Sequence, residues 1–357
     1  MARSAISHGI DPGGTATSAV VREEPFEALA GEWSALLSAS QANPHFATPG
    51  WKRLWWEHLA PERRPRLFAV RNDRLLGLLP FVDDGDGVAL MGDPEVNDYL
   101  DFAYLPGEIE RVCTALGEVV RGNAWSHIDL HCLAEDSATL RLARCTASVN
   151  GYELQVEQED VCPTLVLPKT WDEYLGGLGK KDRHELRRKL RRLETAGVTR
   201  YQRLGSSAIS VQDADDFLRL LRSSRTEKAQ FLNPARESYF RALLNADGLG
   251  HDVALYFLEL GGRRVAGALC LEGPGELALY NSGFDPEYRS LSVGLLLKAY
   301  CVRDAIERGF PRFNFLRGAE PYKYDLGAHD TFIYHCRLQR PTTRARELGP
   351  SGSANLR

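Results

Sequence analysis

The feature that most restricts the fold is an order of elements that appears twice. Apolar β-type runs at 66–70, 75–82 and 88–91 are followed by a helical pattern over about 106–121 and a strand at 125–131. Asn72-Asp73-Arg74 joins the first two runs as a hairpin signal. The same succession returns as runs at 252–260, 263–271 and 276–282, a helix over about 292–308 and a strand at 312–316. Gly77 then aligns with Gly267 and Leu90 with Tyr280, at an offset of roughly 190 residues. That period is too long for a solenoid and fits a duplicated domain. The expected fold class is α/β (α+β): two lobes, each a mixed, largely antiparallel sheet with flanking helices.

A chain of 357 residues has room for two such lobes. We place the N-terminal lobe at 20–160 and the C-terminal lobe at 161–340. The ends, 1–19 and 341–357, are rich in Gly, Ser, Thr, Pro and Arg without periodicity and are expected to be disordered tails. Phe26, Leu29, Trp33, Leu36 and Leu37 recur at helical spacing, as do Trp51, Leu54, Trp55, His58 and Leu59 after Pro49. A loop through Asn97 and Asp98 leads to an apolar stretch at 99–104. Between the lobes, a helix at 171–178 starts on Thr170, and a longer one at 180–196 stops at Gly197. Two further helices are expected at 214–227 and 234–246. No apolar run reaches the ~18 residues of a membrane span, and 1–19 lacks a signal-peptide core, so a cytoplasmic location is expected. A formal charge of −4 excludes a protein whose whole surface is a nucleic-acid platform. The 7 cysteines contain no C-x-x-C pair and read as reduced core residues.

The stretch from Leu277 passes from an apolar strand through a turn-rich loop into an apolar helix. Backbone N–H groups at a helix start lack intrahelical partners and attract anions where small residues permit approach. Arg289, Ser290, Leu291, Ser292, Val293 and Gly294 occupy that place. Beyond the next strand, Arg317, Glu320, Tyr322 and Lys323 form a dense ionisable cluster.

Arg289-x-x-Ser292-x-Gly294 resembles the R-x-x-G-x-G/A pyrophosphate loop of the GNAT superfamily of N-acyltransferases, with serine in the first glycine position. Arg317-Gly-Ala-Glu-Pro-Tyr-Lys323 keeps an R-G-x-E-x-Y-K pattern intact. With Asn281-Ser-Gly-Phe-Asp-Pro, and with Trp51 to Trp56 after Thr48-Pro49, the chain from about Phe26 to Arg337 resembles the CelD-like acetyltransferases. These are a GNAT branch neighbouring the FemABX aminoacyltransferases. The resemblance implies two GNAT-like lobes, with acyl-CoA (acetyl-CoA) as co-substrate on the second. It implies direct acyl transfer to an amine of a small molecule or amino sugar, and no metal.

Such a transfer needs a proton acceptor for the amine, a donor to the leaving sulfur and anchors for anionic groups. Glu320 is the candidate acceptor, or else forms an ion pair with Arg317 that ties down the loop. Tyr280 is the candidate donor, or else plain core. Lys323 and Arg317 are candidate anchors, and Tyr322 belongs with the substrate contacts. In the first lobe, Asn97, Asp98 and Asp101 fill the place of the second lobe's cofactor loop and suit an ammonium-bearing acceptor, or simply a solvated turn. Arg225 and Lys228 suit a phosphate or carboxylate, or a helix C-terminus. The 180–196 helix sets Leu186, Leu190 and Leu193 on one stripe amid Lys and Arg. It suits tRNA, a nucleotide-linked sugar, an anionic membrane surface or plain solvent. The alternatives to acyl-CoA chemistry are a FemABX-like transferase using aminoacyl-tRNA and a non-catalytic binding protein in polysaccharide or lipid assembly.

Gly176-Gly-Leu-Gly179-Lys180-Lys181 lacks the Ser or Thr of a P-loop and follows a helix, and no G-x-S-x-G elbow is present. His127 and His131 would stand about 13 Å apart on a strand, too far for one ion.

Overall fold

The computed structural model describes residues 19–40, 45–245, 249 and 252–341, so the two expected tails lie almost wholly outside the described residues. The first lobe opens with β1 (Val20–Glu23), α1 (Phe26–Ala39), α2 (Pro49–Leu59), β2 (Pro65–Arg71), β3 (Leu75–Asp84) and β4 (Gly87–Leu90). It continues through β5 (Ala103–Tyr104), α3 (Ile109–Asn123), β6 (His127–Ala134), α4 (Thr139–Asn150) and β7 (Glu153–Val161). The second begins with β8 (Thr164–Val166), α5 (Trp171–Gly177), α6 (Lys180–Ala196), β9 (Thr199–Gly205), α7 (Val211–Ser224), α8 (Thr226–Phe231) and α9 (Pro234–Asn245). Then come β10 (Asp252–Leu260), β11 (Arg263–Gly273), β12 (Glu276–Phe284), α10 (Val293–Glu307), β13 (Arg312–Asn314), α11 (Pro321–Asp325) and β14 (Phe332–Gln339).

Two mixed sheets result. One runs β1-β2-β3-β4-β6-β14-β7 with β5 on β3, and the other β8-β13-β12-β11-β10-β9. In each lobe three consecutive antiparallel strands are followed by a helix and a strand parallel to the third: β2, β3, β4, α3, β6 and β10, β11, β12, α10, β13. The doubled order is therefore a doubled topology. The last strand departs from it: β14, counted in sequence with the second lobe, lies in the first sheet between β6 and β7. β7 and β14 escape sequence reading because β7 is largely polar and exposed, with no alternation to mark it.

Local signals set the helix starts. Thr170 and Glu173 form a capping box on α5, and Ser210 with Asp213 forms another that starts α7 earlier than apolar spacing indicates. The helix expected at 214–227 is two, broken at Arg225, which is extended with φ −157°. The stretch at 99–104 yields only the short β5, because Asp101 Oδ1 bonds the Phe102 N–H in place of a ladder partner.

One apolar core crosses the joint between the lobes, holding Trp33, Trp51 and Trp55 from the first with Phe217, Tyr239 and Phe240 from the second. α7 crosses β12 at Gly283, where a Cβ would sit 2.3 Å from the Leu220 carbonyl oxygen. Backbone cannot swing aside as a side-chain tip can. Gly283→Ala should therefore destabilise the protein by at least the ~1–3 kcal/mol typical of overpacking, read as a lower urea midpoint.

Candidate functional site

β12 pairs with β13 only at Glu276, Leu277 and Ala278, then continues to Phe284 while β13 ends at Asn314. β11 covers the other edge of β12, so beyond Ala278 the sheet opens along the free edge. The far wall of the opening is the segment after β13, whose shape follows from its own residues. Asn314 Oδ1 accepts the Leu316 N–H at 2.9 Å, and Leu316 and Gly318 take φ of +56° and +104°. Buried Lys323 then donates to the carbonyls of Leu316, Arg317 and Gly318 at 2.8, 2.7 and 2.8 Å, with Glu320 Oε2 at 3.0 Å.

Lys323, expected as a ligand anchor, thus has its ammonium committed to three main-chain oxygens and is a positioning residue. Arg317 is also committed. Its guanidinium reaches Glu159 at 2.8 Å, Asp160 at 3.0 Å and the Pro94 carbonyl at 3.2 Å, and these partners hold it charged. The expected Arg317–Glu320 pair is replaced by Lys323–Glu320, because β7 supplies Arg317 with two carboxylates across the lobes.

Half-buried Glu320 faces a cationic cluster. Lys228 on α8 donates to Asn281 Oδ1 at 3.0 Å and to the Ser282 carbonyl on the opened part of β12. Lys298 on α10 lies 4.4 Å from the Tyr322 ring centroid and 3.3 Å from the Gly294 carbonyl. Burial lowers Lys228 to about 7, with Lys298 and Arg225 adding to the effect. Burial likewise lowers Lys298 to about 8. Glu320 acts on both in the opposite sense. Arg225 is exposed at the α7–α8 junction, and burial pushes the Tyr322 hydroxyl up. Sequence reasoning missed Lys298. The available signal was a lone cation in the apolar run Leu295-Leu-Leu-Lys-Ala299, one turn after Gly294.

At the end of β12, residues 286–291 form a 3₁₀ turn, and Ser292 caps α10 with φ +58°. Serine thus adopts the left-handed conformation for which a glycine is the usual choice. A Cβ on Gly294 would lie 2.9 Å from the Phe284 ring, so the start of α10 sits directly against β12. Arg289 and Ser290 are exposed, whereas Leu291 and Val293 turn into the second core and leave only main chain to the loop. α6 packs beside this turn, with Leu186 and Leu193 buried and Arg187, Arg191 and Arg192 exposed.

On the first-lobe side, half-buried Asp98 lies beside the Arg317 main chain and is raised by burial to about 6, although the Lys323 and Arg317 charges oppose the rise. Asp101 does not share its surroundings. Asp101 accepts the Thr139 hydroxyl and the Phe102 N–H and lines a separate inter-lobe cavity of about 580 Å³ with Tyr99, Glu276 and Asn314. Burial also lifts it to about 6. The two aspartates are therefore separate groups, not the carboxylate pair that their spacing suggests. Asn97 is fully buried: its Oδ1 accepts the Asp93 N–H at 2.9 Å while its Nδ2 has no partner among the described residues. Tyr280 stacks on Phe240 and meets Phe46 tilted and Trp51 edge-on at the joint, and its hydroxyl donates to the Val96 carbonyl at 2.9 Å. Burial raises it well above the usual phenol range.

Residues 180–324, which contain this opening, match the acetyltransferase (GNAT) domain family. A search of the curated proteins gives no match. Among solved structures the fold is similar to that of FemX, with 12% identity over 89% of this chain and 96% of that one and a TM-score of 0.61. It is also similar to the C-terminal domain of a protein assigned as a lysylphosphatidylglycerol synthetase from Agrobacterium fabrum, with 12% identity, 91% and 95% coverage and a TM-score of 0.58. A tandem GNAT protein from the clavulanic acid biosynthesis pathway matches at 13% identity, 91% and 99% coverage and a TM-score of 0.50. At these identities the likeness is one of fold. Residues 180–324 thus match the acetyltransferase (GNAT) domain family, within a two-lobed fold similar to those of FemX and the tandem GNAT protein.

Proposed function

We propose that the protein transfers an acyl group from acyl-CoA, with acetyl-CoA the first choice, directly to an amine of a small molecule or amino sugar. The observation that carries this reading is the cationic opening in the second sheet, with Lys228 and Lys298 inside it and the start of α10 at its end. An acyl-CoA brings phosphates and a thioester on one molecule. Arg289 and the first N–H groups of α10 take the phosphates, with Arg225 and Lys298 adding charge. Lys228 keeps one N–H beyond its two bonds to β12, and it points the reading toward a developing oxyanion at that edge. The acceptor amine enters from the first lobe. Its nitrogen bonds the thioester carbon, its proton passes to Asp98, and the thiolate leaves. Glu320 favours the charged forms of Lys228 and Lys298 against the burial that lowers both.

A second reading, transfer from aminoacyl-tRNA, is favoured by one observation: basic α6 lies beside the turn that bears Arg289. Thermal-shift titration separates the two, since a ligand bound only by the folded state stabilises it by about 2.7 kcal/mol at a hundred times its Kd. Acetyl-CoA should raise the melting temperature. Lys298→Met should weaken that binding by ~10–100-fold, from the loss of a charged contact of about 1.5–3 kcal/mol. No shift with any CoA ester, together with a charged-tRNA gel shift that survives physiological salt, would move the donor to tRNA.

A further inference from the structure

Away from this opening, Asp129 and His131 on β6 converge with His335 on β14, with one ligand atom from each lying within 4.8 Å of the others. Bulges bring them together. β6 carries an irregularity opposite Tyr334 and Cys336, where Cys132 takes φ +58°, and β7 carries another opposite Ile333 and Tyr334. The imidazoles of His131 and His335 consequently stack with centroids 3.8 Å apart and an interplanar angle of 8°.

Each ring then makes the same pair of contacts. His131 Nδ1 is 3.3 Å from Glu159 Oε1, and His335 Nδ1 is 3.2 Å from Glu157 Oε1. Both Nε2 atoms face Asp129 Oδ1, His131 at 3.3 Å and His335 closer still. An ionised carboxylate only accepts, so a neutral ring can give its single proton to its glutamate or to Asp129 but not to both. With the protons on Nδ1, the Nε2 lone pairs are aimed at a carboxylate oxygen, an arrangement that needs positive charge between them. Two added protons would set two imidazolium rings face to face. One divalent cation satisfies all three groups.

We propose that Asp129, His131 and His335 bind a first-row divalent transition metal, zinc foremost, and that this ion clips the last strand of the chain onto the first sheet. Two imidazoles and a carboxylate, each imidazole backed by a glutamate on its far nitrogen, form a nitrogen–oxygen donor set suited to such ions. Bonds of about 2.0–2.1 Å require ligand atoms roughly 3.3 Å apart in a tetrahedral site, which small ring rotations supply. A cavity of about 370 Å³, lined by Asp129, His131, Asp93 and Asp84, gives entry and room for a water ligand. The surrounding carboxylates of Glu157, Glu159 and Asp160, with Asp129, outnumber the guanidiniums of Arg317 and Arg337 and leave negative charge for the ion to neutralise. Glu159 also holds Arg317, so the ion stands one residue from the loop that walls the transfer opening.

The test uses the full chain, stripped with chelator and then dialysed against Zn²⁺ or Co²⁺. One equivalent of metal per chain, a raised melting temperature and the intense visible bands of four-coordinate Co²⁺ are expected. His131→Gln and His335→Gln should each lower affinity at least ~100-fold. The exposed Glu157→Gln, which leaves the ligands and the fold in place, should lower it ~10-fold. Failure of the wild-type chain to retain an equivalent of either ion at micromolar concentration would overturn the proposal, as would retention unchanged by Glu157→Gln and by whichever histidine variants fold.

Discussion

Asp98→Asn is expected to lower kcat by about 10²–10⁴-fold, the usual contribution of a positioned general base. Asp98 is the carboxylate on the first-lobe side that lies beside the Arg317 main chain of the 316–323 loop, and burial raises it to about 6. A base is active when deprotonated, so kcat/KM should climb as pH rises through about 6. It should fall again above 7 to 8, as Lys228 loses the charge it offers the oxyanion and Lys298 the charge that holds the donor phosphates. Asparagine should abolish the acid limb and leave the alkaline one. Stability should move the other way. A carboxyl raised on folding costs nothing while protonated in both states, and its cost grows as pH rises from its ordinary value of about 3.9 through about 6. Asp98→Asn should therefore melt at the same temperature as the parent at pH 4 and at a higher one at pH 8. An unchanged kcat would remove Asp98 from the chemistry.

Lys323→Met is expected to cost about 3–5 kcal/mol, the penalty for breaking a buried charge arrangement. It leaves the carbonyls of Leu316, Arg317 and Gly318 without their common donor and Glu320 without its partner. The positive φ of Leu316 persists only while its surroundings enforce it. Lys323→Arg should fail nearly as badly, because a planar fork cannot aim at three oxygens that converge on one point. Urea unfolding reads the loss. A residue that anchored only ligand would behave differently, losing donor binding with the urea midpoint unchanged.

The two families of residues fared differently under sequence reading. α6 was legible at 180–196 and α5 from Thr170, because capping, periodicity and a terminal glycine are written within a few residues of one another. The doubled strand order was legible for the same reason: each strand announces itself locally, and the repeat needs only comparison. The segment from Arg317 to Lys323 was visible as a unit, yet its roles inverted. Arg317 turns to β7 and Lys323 turns back on its own loop, leaving Lys228 and Lys298, from two helices, as the cations inside the opening.

What the sequence alone determined is the class of fold, its two-lobed plan and the stretch that lines the opening. The tertiary structure decided that β14 crosses into the first sheet, that Asp98 rather than the Asp98–Asp101 pair meets the loop, and that His335 meets Asp129 from 206 residues away. The physical reason is one of range. Propensity, caps and turns are settled by near neighbours, whereas the partner of a side chain across a sheet depends on register and bulges that form only when distant segments pack.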